Sequence, residues 1–492
     1  MDTRVRPRPP WIVWFIGAAG AAFFAAEVAG PSSGALNARN IGIATVVAVV
    51  AYVGLNADPA WLICGGIAAS VFNGNWNHLG FGSVAVPDRL LLGAGLLALL
   101  LRIPRQARGR PPILARPEYW LLAAAALYAV LSAIAAGTIT SNVAFFRLLD
   151  RFGLLPFLMF AVAPVAFRTR RQRQILLGTL VVTGAYLGFV TWADAFKVNA
   201  LVWPKYILDP AVGITQGRGR GPFAAADANG LALAACSVAA VIGFFEWRSR
   251  SARAACAAVV LLGVGGTFLT LTRSVWIGTA AAGIVTMLSF RELRVWLVPA
   301  VAATGACVFF SLAAIPGLAK RASDRQHDER PIWDRRNSNA AALRMPGDRP
   351  LVGFGWNQYN AKNSKYFVQD KNIPLTGYNV PLHDVYLSNA VELGVLGAAL
   401  WLAALLAAIG GTIFRRGPPE LRPWRIGLVV IGVQWLVESA LAPFPYSFPN
   451  LLLWTWAGIA AGLLPAQRLA VRRPRPWITA EPTWGAGPAS VG

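Results

Sequence analysis

The sequence predicts an all-α integral membrane protein of about 12–14 transmembrane helices, with one long external loop forming a small cap. Two observations predict it. First, 56% of the 492 residues are hydrophobic and only 14% are charged, whereas a soluble domain carries about a quarter charged residues. Second, apolar runs of roughly 15–22 residues recur along the whole chain, the length a helix needs to cross a hydrocarbon core of about 30 Å. Lipid cannot hydrogen-bond a bare backbone, so such runs close their own hydrogen bonds as helices.

Taken in order, the spans are expected at roughly 11–29, 41–55, 59–73, 88–102, 118–137, 150–167, 174–194, 226–246, 253–270, 274–290, 295–316, 384–413, 424–444 and 448–466. The opening MDTRVRPRPP runs into the first of them with no small-residue cleavage site, so no secretory leader is expected. The net charge of +23 invites a nucleic-acid reading, but the arginines are placed otherwise. Arg4, Arg6 and Arg8 precede the first span; Arg102, Arg105, Arg108, Arg110 and Arg116 follow the fourth; Arg168, Arg170, Arg171 and Arg173 follow the sixth. Arg248, Arg250 and Arg253 follow the eighth, Arg291 and Arg294 the tenth, Arg415, Arg416, Arg422 and Arg425 the twelfth, and Arg468, Arg472, Arg473 and Arg475 the last. Every cluster falls on one face, which the positive-inside rule makes cytoplasmic, with both termini there. The basic excess is therefore a topology signal, with membrane lipids as partners and no nucleic acid. Cys64, Cys236, Cys256 and Cys307 lie within spans at no disulfide or metal spacing, and read as small apolar residues.

The opposite face carries the chemistry. The segment 317–383 is too polar to span and too long to be a mere connector. It holds Trp333, Trp356, Tyr359, Tyr366, Phe367 and Tyr378, and eleven Lys and Arg against six Asp and Glu. A cationic cap suggests an anionic ligand; a solvated loop with internal ion pairs is the plainer reading. Three patches converge on this face. In GRGRGPFAAADANGLAL (217–233), Arg218 and Arg220 alternate with glycines that let backbone amides approach a ligand, and Asn229 stands where the next helix begins. Guanidinium groups beside a helix N-terminus suit phosphate.

Arg273, in LTLTRSVWIG (269–278), is the only charge between two spans. An arginine entering the apolar layer costs ~2.5–3.5 kcal/mol near mid-membrane, so it needs a partner or a task; snorkelling to headgroups is the alternative. In PLHDVYLSNAVELGVLG (381–397), His383 sits at the membrane boundary beside Asp384. It suits proton transfer near neutral pH, or simply a hydrogen bond where a helix starts. Glu392 lies inside the span and requires a partner there, while His78 and His327 read as surface residues.

In this order and spacing, the patches resemble the O-antigen ligase and polysaccharide polymerase family of bacterial envelope enzymes. Arg218, Gly221, Phe223 and Asn229 match the family's arginine, glycine, phenylalanine and helix-opening asparagine. The stretch from Phe223 to Asn229 is longer than the family's, Ala228 replaces a common proline, and Arg220 competes with Arg218 for the arginine position. Thr272-Arg273 stands for the family's Ser-Arg, and Arg330 to Trp333 for its Arg-x-x-Trp element. Arg349-Pro350-Leu351-Val352-Gly353-Phe354-Gly355 matches its Pro-Leu-x-Gly-x-Gly turn. His383-Asp384, Tyr386-Leu387 and Glu392-Leu393-Gly394 match its His-Asn, Tyr-Leu and Glu-x-Gly run, with Asp384 in place of asparagine. The resemblance covers roughly residues 215–400 and suggests a division of the chain. N-terminal transmembrane helices fill 1–214, the first part of the ligase-like core 215–316, the external loop domain 317–383, C-terminal helices 384–466, and a basic cytoplasmic tail 467–492.

The resemblance implies a metal-independent, cofactor-free glycosyltransferase of GT-C architecture in the inner (cytoplasmic) membrane. Its donor is a glycan on an undecaprenyl pyrophosphate carrier, passed on the outer face to a saccharide or glycolipid acceptor with inversion at the anomeric carbon. Under it, His383, Arg273 and Arg218 are catalytic, while Arg220, Gly221, Asn229, Arg330, Trp333, Arg349, Asp384 and Glu392 bind substrate. The residues suit that chemistry. Arginines clamp a departing pyrophosphate as a metal would, and no Asp-x-Asp pair stands in the external loops. His383 takes or orients the acceptor's hydroxyl proton with Asp384 fixing its ring, the aromatic cap holds acceptor sugar, and the polyprenyl tail lies between spans. Polymerase and ligase remain equally open. The alternative is a transporter or flippase of an anionic lipid-linked substrate, using Glu27, Asp194, Glu392 and Glu438. Against it, no repeat relates the two halves and no GxxxxGK[ST] element occurs.

Overall fold

In the computed structural model, the described residues are 58–462 except 82–85, 103–115, 216, 370–372, 376–380, 416 and 443–445. The spans expected at 11–29 and 41–55 and the basic tail at 467–492 lie outside them. The helices are α1 Pro59–Ala69, α2 Pro87–Arg102, α3 Pro117–Ala135, α4 Asn142–Ala166, α5 Arg170–Ala195, α6 Ala226–Glu246, α7 Arg250–Leu269, α8 Arg273–Ser289 and α9 Arg291–Ala314. Two polar helices follow, α10 Leu318–His327 and α11 Arg330–Arg344, and then α12 Val385–Phe414, α13 Arg422–Ser439 and α14 Ser447–Ala461. Among the described residues there is no strand, and seven helices (α3 to α7, α9 and α12) are long and apolar enough to cross a membrane. The chain is thus an all-α, multi-pass membrane protein, and each expected span inside the described residues falls on a helix. Proline opens α1, α3, α11 and α13, where a missing N–H costs no hydrogen bond.

One boundary moves. The span expected at 150–167 begins at Asn142, eight residues earlier, and its charges are paired inside the protein. Arg147 meets Glu392 of α12 at 3.2 Å, and Asp150 meets Arg89 of α2 at 2.9 Å. A π-turn over Arg147–Phe152 widens the helix there and carries both side chains.

The core is built around α14, whose Trp454 and Trp456 are fully buried. Gly458 lets α14 meet α4 closely, since a Cβ there would lie 2.5 Å from the Phe160 carbonyl oxygen. α6 packs on α7 and α8 on α13. α9 behaves differently: only 6% of its apolar window is buried, and Phe309 and Phe310 face outward. Its surface suits hydrocarbon. The segment between α9 and α12 folds on a small apolar cluster of Ala341, Ala342, Met345, Tyr359, Tyr366 and Leu382. This corrects one expectation about the cap. Trp356, Tyr359 and Tyr366 form buried core and present no open ring face to a sugar, while Tyr378 lies outside the described residues.

Candidate functional site

The starts of α6, α8 and α12 and the end of α13 come together at one end of the bundle, with α10 and α11 over them. A cavity of about 150 Å³ lies between, lined by Arg218, Asp227, Arg273, Ser274, Arg325, Asp334, Arg335 and His383, with Thr215 and Thr272. Three helices therefore aim their N-termini, the positive ends of their dipoles, into a space already ringed by four guanidinium groups. Burial in such company opposes charge. Desolvation, reinforced by the Arg325 cation, pushes Arg218 down to about 10. Arg325 and Arg335 are shifted in the same direction, again chiefly by desolvation. A site this cationic suits an anion.

The two arginines left open in the sequence are separated by the fold. Arg220 is 3% exposed and its guanidinium donates to the carbonyl oxygens of Ile207, Val212 and Asp209, so it closes the 207–212 turn from behind the cavity. Arg218, two residues earlier, faces the cavity. Gly221 and Asn229 serve the loop that carries Arg218. Gly221 has φ +51°, and a Cβ there would lie 2.7 Å from Asn229 Oδ1. Asn229, fully buried, donates from Nδ2 to Thr191 Oγ1 and to the Gly219 carbonyl, both at 2.8 Å. These contacts hold the loop against α6 and aim Arg218.

Arg273 is the first residue of α8 and donates to the Asp328 carbonyl at 3.4 Å, reaching across to the α10–α11 link. Ser274 beside it donates to Glu438 Oε1 at 3.0 Å. His383 Nδ1 lies 2.8 Å from the Pro381 carbonyl oxygen. A carbonyl only accepts, so Nδ1 carries the proton and Nε2 keeps its lone pair. Desolvation, then the Arg335 cation, lowers the His383 pKa and keeps the ring neutral near pH 7. Asp384 does not fix that ring. Its carboxylate caps α12 by accepting from the Leu387 N–H at 2.9 Å, and its non-helical φ/ψ starts the helix.

The remaining motif residues lie elsewhere. Arg349 is exposed, its guanidinium 5.7 Å from the Phe354 ring centroid. Arg330 is exposed, and neither it nor Trp333 lines the cavity. Glu392 is fully buried, paired with Arg147 and accepting from the backbone N–H groups of Asn357 and Tyr359. Two residues on, Gly394 breaks α12 with φ +69° and ψ −179°. Its freed backbone neighbours bond the Pro350–Gly355 turn: Phe354 and Gly355 N–H donate to the Val391 and Glu392 carbonyls, and Val395 and Leu396 N–H to Pro350 and Leu351. The Pro-Leu-x-Gly-x-Gly and Glu-x-Gly motifs are thus one interlocked joint. It satisfies a broken transmembrane helix from inside the protein and fixes the first turns of α12, the helix that His383 precedes.

Arg325, Asp334, Arg335 and Asp227 line the cavity without having been singled out in the sequence. The missed signal is helical phase: from Pro331, residues 334 and 335 follow at three and four positions on one face of α11, and all three line the cavity. Alongside, an apolar groove of about 900 Å³ runs down α6, α7, α8, α9 and α13, from Phe268 and Trp276 to Leu293 and Arg422. Residues 257–402 match the family model for O-antigen ligase, a stretch that contains Arg273, α10, α11, His383 and the interlocked joint. No curated protein matches the chain. Residues 257–402 are thus similar to O-antigen ligase and lie within a multi-pass membrane bundle.

Proposed function

We propose that the chain is a glycosyltransferase of the inner membrane, of the O-antigen ligase kind that residues 257–402 resemble, moving a glycan from an undecaprenyl pyrophosphate carrier to an acceptor saccharide on the outer face. The observation that carries the reading is the meeting of Arg218, Arg273 and His383, whose Nε2 keeps its lone pair, at one cavity beside a long apolar groove. Arg218 and Arg273 bind the diphosphate, and the groove takes the polyprenyl chain. The acceptor hydroxyl oxygen attacks the anomeric carbon from the face opposite the diphosphate, which inverts the centre. The bond from that carbon to the phosphate oxygen breaks with its electron pair leaving on the diphosphate, and the hydroxyl proton passes to His383 Nε2. Guanidinium groups carry the developing charge, the task a divalent ion performs in other transferases.

The test is a gel-resolved assay of purified protein in nanodiscs with undecaprenyl pyrophosphate-linked repeat units, with and without EDTA. A ladder of longer lipid-linked glycans that survives EDTA supports a polymerase; transfer only after adding a lipid-core acceptor supports a ligase. Donor left unconsumed with every acceptor offered would sink the enzyme reading and favour transport.

A further inference from the structure

We infer that the Pro350–Gly355 turn is a membrane anchor: Leu351 and Val352 enter the hydrocarbon margin of the leaflet on the cavity's side, and tether the middle of the segment between α9 and α12 to phospholipid. This goes beyond the proposed function and assumes nothing about the reaction. Depth comes first. α12 runs for 30 residues, Val385–Phe414, more than the roughly 20 that cross a hydrocarbon core. Arg415, directly after it, meets Glu118 at 2.6 Å, and Glu118 lies in the first turn of α3. That ion pair marks one level common to both helices. Counted from it, about 20 residues of α12 reach back to Val395, and the 19 residues of α3 end at Ala135. The turn sits at both marks. Val395 and Leu396 N–H donate to its Pro350 and Leu351 carbonyls. At the other helix, a Cβ on Gly355 would lie 2.6 Å from the Ala136 Cβ, and Ser132 Oγ accepts from the Trp356 N–H at 3.1 Å. Two helices thus place the turn at the same membrane boundary. Gly355 bonds back to Glu392 whereas Leu351 bonds to Leu396, so the Leu351 end is the deeper one.

The surface there is apolar. Leu351 and Val352 are 60% and 59% exposed, and Val395 and Leu396, to which the turn is bonded, are exposed as well. The turn therefore continues the exposed apolar face of a transmembrane helix, a face that lipid covers, and this decides the occupant. Arg349, exposed, stands immediately before the turn, the order that suits headgroups giving way to acyl chains. The Pro350 and Leu351 carbonyls are already bonded to α12, so entering lipid leaves neither bare.

The experiment uses the full-length protein in nanodiscs of phosphatidylcholine and phosphatidylglycerol, with a nitroxide attached at Leu351→Cys or, separately, at Val352→Cys. Both side chains are exposed, so neither substitution disturbs packing. Power saturation of the spin label reads its collisions with oxygen, which concentrates in hydrocarbon, and with a water-soluble nickel chelate. Lys362→Cys, exposed in the segment between α9 and α12, is the aqueous reference, and Leu406→Cys, exposed on α12, the lipid reference. Wild type labelled in parallel supplies the background from Cys307. Oxygen is expected to exceed the nickel chelate at both turn positions, as at Leu406, with the order reversed at Lys362. Either turn position reading like Lys362 would put the turn in water, and either one shielded from both reagents would put it under protein, such as a second copy of the chain; each result overturns the inference. No transfer is read, so a failure of the enzyme reading and a failure of this one are seen separately.

Discussion

Two arginine-bearing regions of this protein differ in their partners. At the interlocked joint, Arg147 meets Glu392 at 3.2 Å, Asn357 Oδ1 at 2.8 Å and Ser388 Oγ at 3.2 Å, and lies over Trp356. Every contact is internal, and the result is a staple between α4, the intervening segment and α12. At the cavity, Arg218 and Arg335 have guanidinium groups with no hydrogen-bonded acceptor among the described residues. Both regions take arginine partly out of water, where charge is costly. The joint meets that cost within the fold; at the cavity no hydrogen-bonded acceptor among the described residues does. An inventory of partners thus separates the two sets of arginines more sharply than motif spacing does.

Mutation tests that contrast. The largest expected effect is on the joint. Arg147→Ala or Glu392→Ala leaves a buried charge alone and is expected to cost about 3–5 kcal/mol, read as a lowered melting temperature and lost yield from the membrane. At the cavity the signs reverse: Arg218→Ala or Arg273→Ala is expected to cut transfer about 10²–10³-fold while the melting temperature holds. Equal destabilisation in both regions would erase the distinction.

Gly394→Ala is the next in size. It forces a side chain into φ +69°, with its Cβ 2.2 Å from the Leu351 carbonyl oxygen, and is expected to cost about 1–3 kcal/mol or more in thermal unfolding. His383→Gln sharpens the comparison through pH. A base works unprotonated, and the lowered His383 pKa means protonation sets in only below its ordinary value near 6.5. Wild-type activity is therefore expected to hold at pH 6.5 and fall as the medium becomes more acid, and the glutamine variant to lose that limb along with about 10²-fold or more in rate. The smallest effect belongs to Arg330→Ala, exposed and outside the cavity, with stability changed by less than about 0.5 kcal/mol.

Much of the architecture was legible in the sequence because the bilayer imposes it. Apolar length and arginine placement are properties of consecutive residues, and they located α1 to α9 and α12 to α14. The start of α4 was not legible, since the partners that allow Arg147 and Asp150 into it are 245 and 61 residues away in the chain. The same limit explains the site. Sequence spacing brought forward Arg218, Arg273 and His383, and the fold gathers all three at one cavity. It also brought forward Arg220, Asn229, Asp384 and Glu392, which the fold uses to close a turn, pin a loop, cap a helix and hold a joint.

The sequence by itself determined the membrane class, the order of the helices and the polar segment between α9 and α12, because hydrophobic length is a local quantity. Tertiary structure alone decided which of Arg218 and Arg220 faces the cavity, that Arg335 joins them, and that two glycine motifs form one joint. Those outcomes depend on hydrogen-bond partners and on helical phase, and both are fixed only when distant segments meet.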